Sequence, residues 1–311
     1  MVAPGASADT EIPRREGLWI TRGGTRAPWH ARSMTRYALS TATPVLLRPD
    51  GSVQVGWDPR RAVVIRPPSG LPAATLADLL RHLQSGAALA DLQAREPAVD
   101  AALVENLLAS LVDAGVVTAS APRRGRSAAV RIHGRGPLSD LLATALRCSG
   151  ARITHSSRTN TGASSEKTDL VVLTDYLVAD PRVVRELHTA GVAHLPVRVR
   201  DGVGLVGPLV IPGVTSCLGC ADLHRSDRDA AWPAVAAQLR YTVGSADRAT
   251  VLATAALALN QVDRVIRAVR GGVEAGCSAE PPPTLDTTLE FDVNVGSVVS
   301  RRWSRHPRCT C

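Results

Sequence analysis

Two close cysteine pairs carry the most specific chemistry in the sequence: Cys217-Leu218-Gly219-Cys220 and, far along the chain, Cys309-Thr310-Cys311. Four thiolates on two separate turns suit a tetrahedral zinc ion, with the metal tying the end of the sequence back to its domain. A redox CxxC and four unconnected thiols are the rival readings. A thioredoxin-like pair should open a helix early in a βαβ unit, whereas Cys217 follows the Gly- and Pro-rich stretch VGPLVIPGVTS. Of the other two cysteines, Cys148 is expected to be a packed core thiol and Cys277 to lie in a loop.

A second pattern is Gly134-Arg135-Gly136-Pro137-Leu138-Ser139, a GxGxxG turn with Ser in the last glycine's place. Glycines here allow a tight strand-to-helix turn and let a phosphate approach the helix N-terminus, where free amides and the helix dipole favour negative charge. Pro137 removes one of those amides. A dinucleotide site also wants an acid at the end of the second strand, and that place reads Thr154-His155-Ser156-Ser157-Arg158. The turn is therefore either a nucleotide cradle, with Gly134, Gly136 and Ser139 as its residues, or a structural turn.

Asp222, His224, Asp227 and Asp229 have the residue types for a divalent cation or acid–base work. The competing reading is a solvated helix start. No nucleophile elbow, HExxH motif or P-loop occurs in the sequence.

The elements that position these residues follow from hydrophobic period. Ala128 to Ile132 reads as a buried strand, Leu138, Leu141, Leu142, Ala145 and Leu146 as a helix face, and Ala151 to Thr154 as a second strand. Leu170 to Leu173, the helix Pro181 to Ala190 and the strand His194 to Val199 continue the alternation, which predicts a doubly wound parallel sheet over 128–311. Val251 to Val269 predicts a long helix, either buried or a dimer face, and Thr288 to Ser300 a strand with a hairpin through Gly296.

Before the linker SAPRRGRSA, residues 41–121 predict a small winged-helix-like α+β domain. Val45 to Leu47 and Val53 to Val55 flank Asp50-Gly51, a type I′ hairpin signal, and a third strand is expected at Arg61 to Ile65. Leu76, Leu79, Leu80 and Leu83 form one helix face starting near Thr75, Val104, Leu107, Leu108 and Leu111 another, with a short closing strand at Val116-Val117. Residues 1–40 lack periodicity and are expected to be a poorly ordered arm. The second helix, AALVENLLASLV between two aspartates, is apolar and acidic where a DNA-reading helix is polar and basic. Peptide capture by strand addition fits better, beside a plain packing role.

Composition narrows the classes. The 311 residues suffice for two domains, and 45% apolar with 3% aromatic content predicts an aliphatic core without stacking platforms for single-stranded nucleic acid. The net charge of +8 is almost all arginine, because Lys167 is the single lysine, so it reflects composition more than a basic binding face. Neither nucleic acid nor membrane is expected as a partner. With no signal-like or 18-residue apolar run, a cytoplasmic location is expected, where thiols stay reduced.

The glycine turn, then Thr168-Asp169-Leu170-Val171-Val172-Leu173-Thr174-Asp175, then Gly207-Pro208-Leu209-Val210-Ile211-Pro212-Gly213 leading into Cys217 and Cys220, together resemble the ThiF/HesA/MoeB activating enzymes over 128–311. That resemblance implies a Rossmann-like fold, ATP and magnesium, adenylation of a C-terminal carboxylate, a structural zinc on two cysteine pairs, and commonly a homodimer. CADLHRSDRDAAWP and WSRHPRCTC are more similar to the cyclodehydratase partner proteins of azoline (TOMM-type) peptide biosynthesis. Those join a winged-helix-like leader-peptide module to a ThiF-like domain and work with a YcaO-type enzyme. The resemblance places Asp175 as the acid facing ATP and its metal, and Gly134, Gly136 and Ser139 as the glycine turn. It also implies cations in a long segment before Asp169, where only 33 positions separate Gly136 from Asp169 and hold Arg158 and Lys167. Without such cations, nucleotidyl transfer loses its charge stabilisation. The expectation is a peptide-binding scaffold in ribosomal peptide modification with a truncated, nucleotide-deficient core; the alternatives are an active ThiF-type adenylyltransferase and a winged-helix DNA binder.

Overall fold

A computed structural model describes residues 35–120, 126–156, 167–271 and 281–311. The chain divides into two compact units, Met1–Arg123 and Arg124–Cys311.

The first unit orders β1 (Arg36–Ala38), β2 (Val45–Leu47), β3 (Val53–Val55), β4 (Val63–Ile65), α1 (Ala73–Leu83), β5 (Ala87–Ala88), α2 (Leu89–Arg95), α3 (Ala101–Asp113) and β6 (Thr118–Ser120). Two antiparallel sheets result, β2-β3-β4 and β5-β1-β6. Both expected helical faces are buried: Leu76, Leu79, Leu80 and Leu83 on α1, and Val104, Leu107, Leu108 and Leu111 on α3, close one core with Val53 and Val55.

Three local expectations need correction. The β2–β3 hairpin is not a two-residue type I′ turn. Such a turn would pair residue 49 with 52, and Pro49 has no N–H for the ladder; Arg48 donates to the Ser52 carbonyl at 2.9 Å instead, leaving a three-residue loop with Gly51 at φ +77°. The stretch assigned to the arm contains β1, whose following residue Leu39 is buried, while residues 1–34 lie outside the described ones. The closing strand starts at Thr118, and Val117 turns into the core instead.

The second unit orders β7 (Ala129–His133), α4 (Pro137–Leu146), β8 (Arg152–Ser156), β9 (Leu170–Thr174), α5 (Pro181–Thr189), β10 (Ala193–Arg200), β11 (Val203–Val206), α6 (Leu218–Arg228), α7 (Trp232–Leu239), α8 (Arg248–Gly271), β12 (Thr287–Asp292) and β13 (Ser297–Arg302). Its seven-stranded sheet runs β13-β12-β11-β10-β9-β7-β8. The four strands β8, β7, β9 and β10 are parallel, as expected of a doubly wound core. The other three pair antiparallel, so the sheet is mixed. The added strand β11 follows a two-residue turn, Asp201 at φ 50° and Gly202 at φ 80°, the conformation a type I′ hairpin demands.

Helices α4 and α8 pack on one sheet face, where Leu138, Leu142 and Leu146 meet Ala258, Val262 and Ile266. On the other face, Val183 and Leu187 of α5 pack with Val171 and Leu173. Gly204 permits the α8 approach, because a Cβ there would lie 2.0 Å from the Thr254 hydroxyl. Strand order reverses between β7 and β9, and at such a switch point the carboxyl ends of open α/β sheets form their binding crevice.

Candidate functional site

At the switch point the glycine turn and Asp175 meet. Gly136 precedes α4, and Pro137 at its first position lacks an N–H that would have no helical partner anyway. The amides that remain free are those of Leu138 and Ser139. Both donate to Asp175, Leu138 N to Oδ1 at 2.9 Å and Ser139 N to Oδ2 at 3.2 Å. The Ser139 hydroxyl accepts from Gly136 N at 3.0 Å and donates to the Gly136 carbonyl at 2.7 Å. The negative charge that a helix N-terminus attracts is thus supplied by the chain itself.

The two glycines fit that arrangement. A Cβ on Gly134 would lie 2.0 Å from the Thr174 hydroxyl, and one on Gly136 2.8 Å from the Asp175 carboxyl carbon. Close approach of the turn to the end of β9 accounts for both. Asp175 sits at φ 71°, is 1% exposed, and is overlaid by the segment before α8: Gly244 N donates to its carbonyl at 3.0 Å, and Tyr176 bridges to Val243. At the end of β8, Ser156 contacts His133 Nδ1 at 3.1 Å rather than presenting an acid. Asp169 pairs with Arg126 and accepts Ala129 N at 2.9 Å, so it fastens the starts of β9 and β7. Arg158 lies outside the described residues.

The four expected metal ligands converge. The sulfurs of Cys217, Cys220, Cys309 and Cys311 all lie within 4.8 Å of one another. Cys217 to Cys220 is 3.8 Å, Cys217 to Cys309 3.5 Å, and Cys220 to Cys311 3.4 Å. Zinc–sulfur bonds of about 2.3 Å in a tetrahedron place sulfurs about 3.8 Å apart, so the spacing fits a four-thiolate zinc site and is too long for disulfides. Cys217 caps α6, accepting Cys220 N at 3.3 Å, which orients both thiols inward.

Without metal, burial pushes the Cys217 and Cys311 thiols up. Burial acts the same way on Cys220, but the backbone hydrogen bonds of His306 and Cys217, together with hydrogen bonds from the Cys311 and Cys309 thiols, outweigh it and draw it down to about 7. A bound cation would hold all four as thiolates and stabilise the fold; four protein ligands leave no open position for catalysis.

The Asp222, His224, Asp227 and Asp229 group serves as a fastening. His306, 5% exposed, bonds Asp227 Oδ2 through Nε2 at 2.8 Å and accepts Arg308 N on Nδ1 at 3.1 Å. Arg308 also pairs with Asp227, and the His224 ring meets His306 edge-on at 4.7 Å. Asp222 holds Arg225 at 2.9 Å and the Trp232 indole N–H at 3.1 Å, and Asp229 caps the turn into α7. Among the described residues the thiol set is the cluster that could hold a metal. His306, which sequence reasoning passed over, is the central contact; its signal was the segment WSRHPRCTC.

Cys148 is exposed, not packed in the core, because α4 ends at Leu146 and the chain leaves the sheet there. Cys277 lies outside the described residues. Among the described residues no helix is long and apolar enough to cross a membrane.

No family model and no curated protein matches the chain in sequence. Solved structures do match in fold. The heterocyclase TruD superposes with a TM-score of 0.63 at 17% identity, covering 89% of this chain and 42% of TruD, so this chain spans about two-fifths of that protein's length. E. coli MccB with ATP gives 0.52 at 12% identity, covering 88% of this chain and 99% of MccB. The microcin C7 biosynthetic enzyme MccB in complex with N-formylated MccA gives 0.53 at 12% identity, with the same coverage. The chain has the fold of these proteins, as the motif resemblance implied.

Proposed function

We propose that this chain is a peptide-binding scaffold in ribosomal peptide modification, a cyclodehydratase-associated ThiF-like protein without adenylating activity. The observation that carries the loss of adenylation is the end of β8, where Ser156 contacts His133 in place of an acid for the ribose, while Asp175, which the resemblance turns towards ATP and its metal, is engaged on the Leu138 and Ser139 amides. Zinc on Cys217, Cys220, Cys309 and Cys311 holds the scaffold together and takes no part in chemistry.

The winged-helix-like first unit is the peptide-recognition domain on this reading. Among the described residues no further strand pairs with either edge of its β2-β3-β4 sheet, and Leu46, Leu47, Trp57 and Val64 are exposed on or beside it. On the β2 flank, Arg81 already occupies the Val45 carbonyl at 3.2 Å. On β4, Val63 and Ile65 face β3, so Val64 turns its N–H and C=O outward, which suits an added peptide strand. A YcaO-type enzyme is the proposed catalytic partner, and a homodimer the proposed assembly, with Leu252 on the outer side of α8 exposed.

The test is binding of a labelled precursor peptide encoded beside this chain's gene, followed by anisotropy. Val64→Pro, which deletes the outward N–H, is expected to weaken binding about tenfold or more with the fold retained. Unchanged binding in that variant contradicts the strand-addition mode.

A further inference from the structure

On the sheet face that carries α5, the end of β10, the start of α5 and helices α6 and α7 line a half-open cavity of about 520 Å³. Four arginines line it, Arg185, Arg198, Arg200 and Arg225, against two carboxylates, Asp201 and Asp222. The rest of the wall is aliphatic or aromatic, including Val184, Leu218, Trp232 and Trp303. A cavity with twice as many guanidinium groups as carboxylates carries a positive excess that its own walls do not neutralise.

The carboxylates are also spoken for. Asp222 binds Arg225 at 2.9 Å, and Asp201 lies 4.0 Å from Arg200, which reaches Glu290 at 3.5 Å. Arg225 is further held between two indoles, its guanidinium carbon 5.0 Å from the Trp232 ring centre and 5.2 Å from that of Trp303. Arg198 is the exception. It projects from β10 into the cavity, and its guanidinium makes no hydrogen bond or ion pair among the described residues. Burial, then the nearby Arg225 and Arg200, lower its pKa to about 10, with Asp222 offsetting part of the effect. At neutral pH it remains a cation. A half-buried guanidinium that lines a cavity without a protein partner directs its unused N–H donors at whatever occupies that cavity.

We infer that this cavity binds an organic anion, a carboxylate on an apolar or aromatic body, with Arg198 receiving the carboxylate and the Trp232–Trp303 side receiving the body. The planar guanidinium fork matches a carboxylate in a two-point contact, and the apolar walls favour a hydrocarbon-bearing acid over a bare oxyanion. The site lies in the second unit and does not depend on the peptide reading of the first.

Calorimetric titration of the full zinc-loaded chain tests it, with phenylacetate as a free acid and N-acetylphenylalanine as a chain-end acid, each beside its amide. Saturable binding of either acid is expected, with its amide about tenfold weaker or worse, and the tighter of the two acids identifies the source. Arg198→Met is expected to lower the affinity about tenfold or more without loss of folding. Val184→Trp, which fills the cavity and leaves every charge in place, is expected to do the same. Equal binding of acid and amide, no heat from either acid at millimolar concentration, or full affinity in both variants would overturn the assignment. Binding of inorganic phosphate with neither acid bound would overturn the carboxylate class.

Discussion

The Asp175 carboxylate accepts the backbone N–H of Leu138 at 2.9 Å, joining the end of β9 to the start of α4 across the switch point of the sheet. A residue 37 positions away thereby takes the capping role that a local side chain usually fills. Gly136 exists in that geometry because any side chain would press on the Asp175 carboxyl.

Asp175→Ala is expected to lower stability by about 1 to 2 kcal/mol, the usual cost of a lost helix cap, as read by thermal melting. Sulfate or phosphate should restore part of the loss in the variant more than in the parent, because the vacated amides become an anion site. Equal salt effects on both proteins would show that the amides were never freed.

Gly136→Ala displaces a buried carboxylate rather than filling open space. It should cost about 1 to 3 kcal/mol, in the range of overpacking substitutions. A neutral effect in denaturant melts would mean that Asp175 has room to yield.

Zinc analysis should find about one ion per chain, as four thiolate ligands require. Cys309→Ser should lose the ion, and chelation of the parent should lower Tm by several degrees with proton uptake, since burial favours the neutral Cys217 and Cys311 thiols. Retained zinc in Cys309→Ser would remove that residue from the ligand set.

His306→Ala cuts the 2.8 Å bond to Asp227 that holds the segment carrying Cys309 against α6. Supporting residues of this kind change metal affinity about 10- to 100-fold, so a chelator competition should show a loss in that range. Unaltered affinity would make the histidine a packing residue only.

His194 is fully buried, and burial lowers its pKa from 6.5 to about 4. Its folded pKa lies below its unfolded one, so the unfolded chain binds the extra proton. Stability is therefore full above pH 6.5 and falls as the pH drops towards 4, by up to roughly 3 kcal/mol. His194→Leu should flatten this part of the profile relative to the parent. Parallel profiles would place the acid sensitivity elsewhere.

Local patterns were legible where their period was long enough to register. The leucine faces of α1 and α3 and the parallel strands followed from spacing, as did the four thiols from their pairing. Helix α2 escaped because Leu89-Ala-Asp-Leu-Gln-Ala-Arg95 spans barely two turns with two leucines. Strand β11 was hidden inside a Gly- and Pro-rich run, although Asp201-Gly202 carried the hairpin signal that Asp50-Gly51 only imitated. Contacts distant in sequence were illegible: nothing near Asp175 indicates that it caps α4, and nothing near Arg198 indicates a guanidinium without a partner.

The most direct test of the central claim is ATP binding and ATP–pyrophosphate exchange by the zinc-loaded chain, with and without magnesium. Neither is expected, because at the end of β8 Ser156 contacts His133 in place of an acid for the ribose and Asp175 is engaged on the Leu138 and Ser139 amides. Magnesium-dependent exchange that Asp175→Ala abolishes would contradict the scaffold reading and establish an adenylyltransferase in its place.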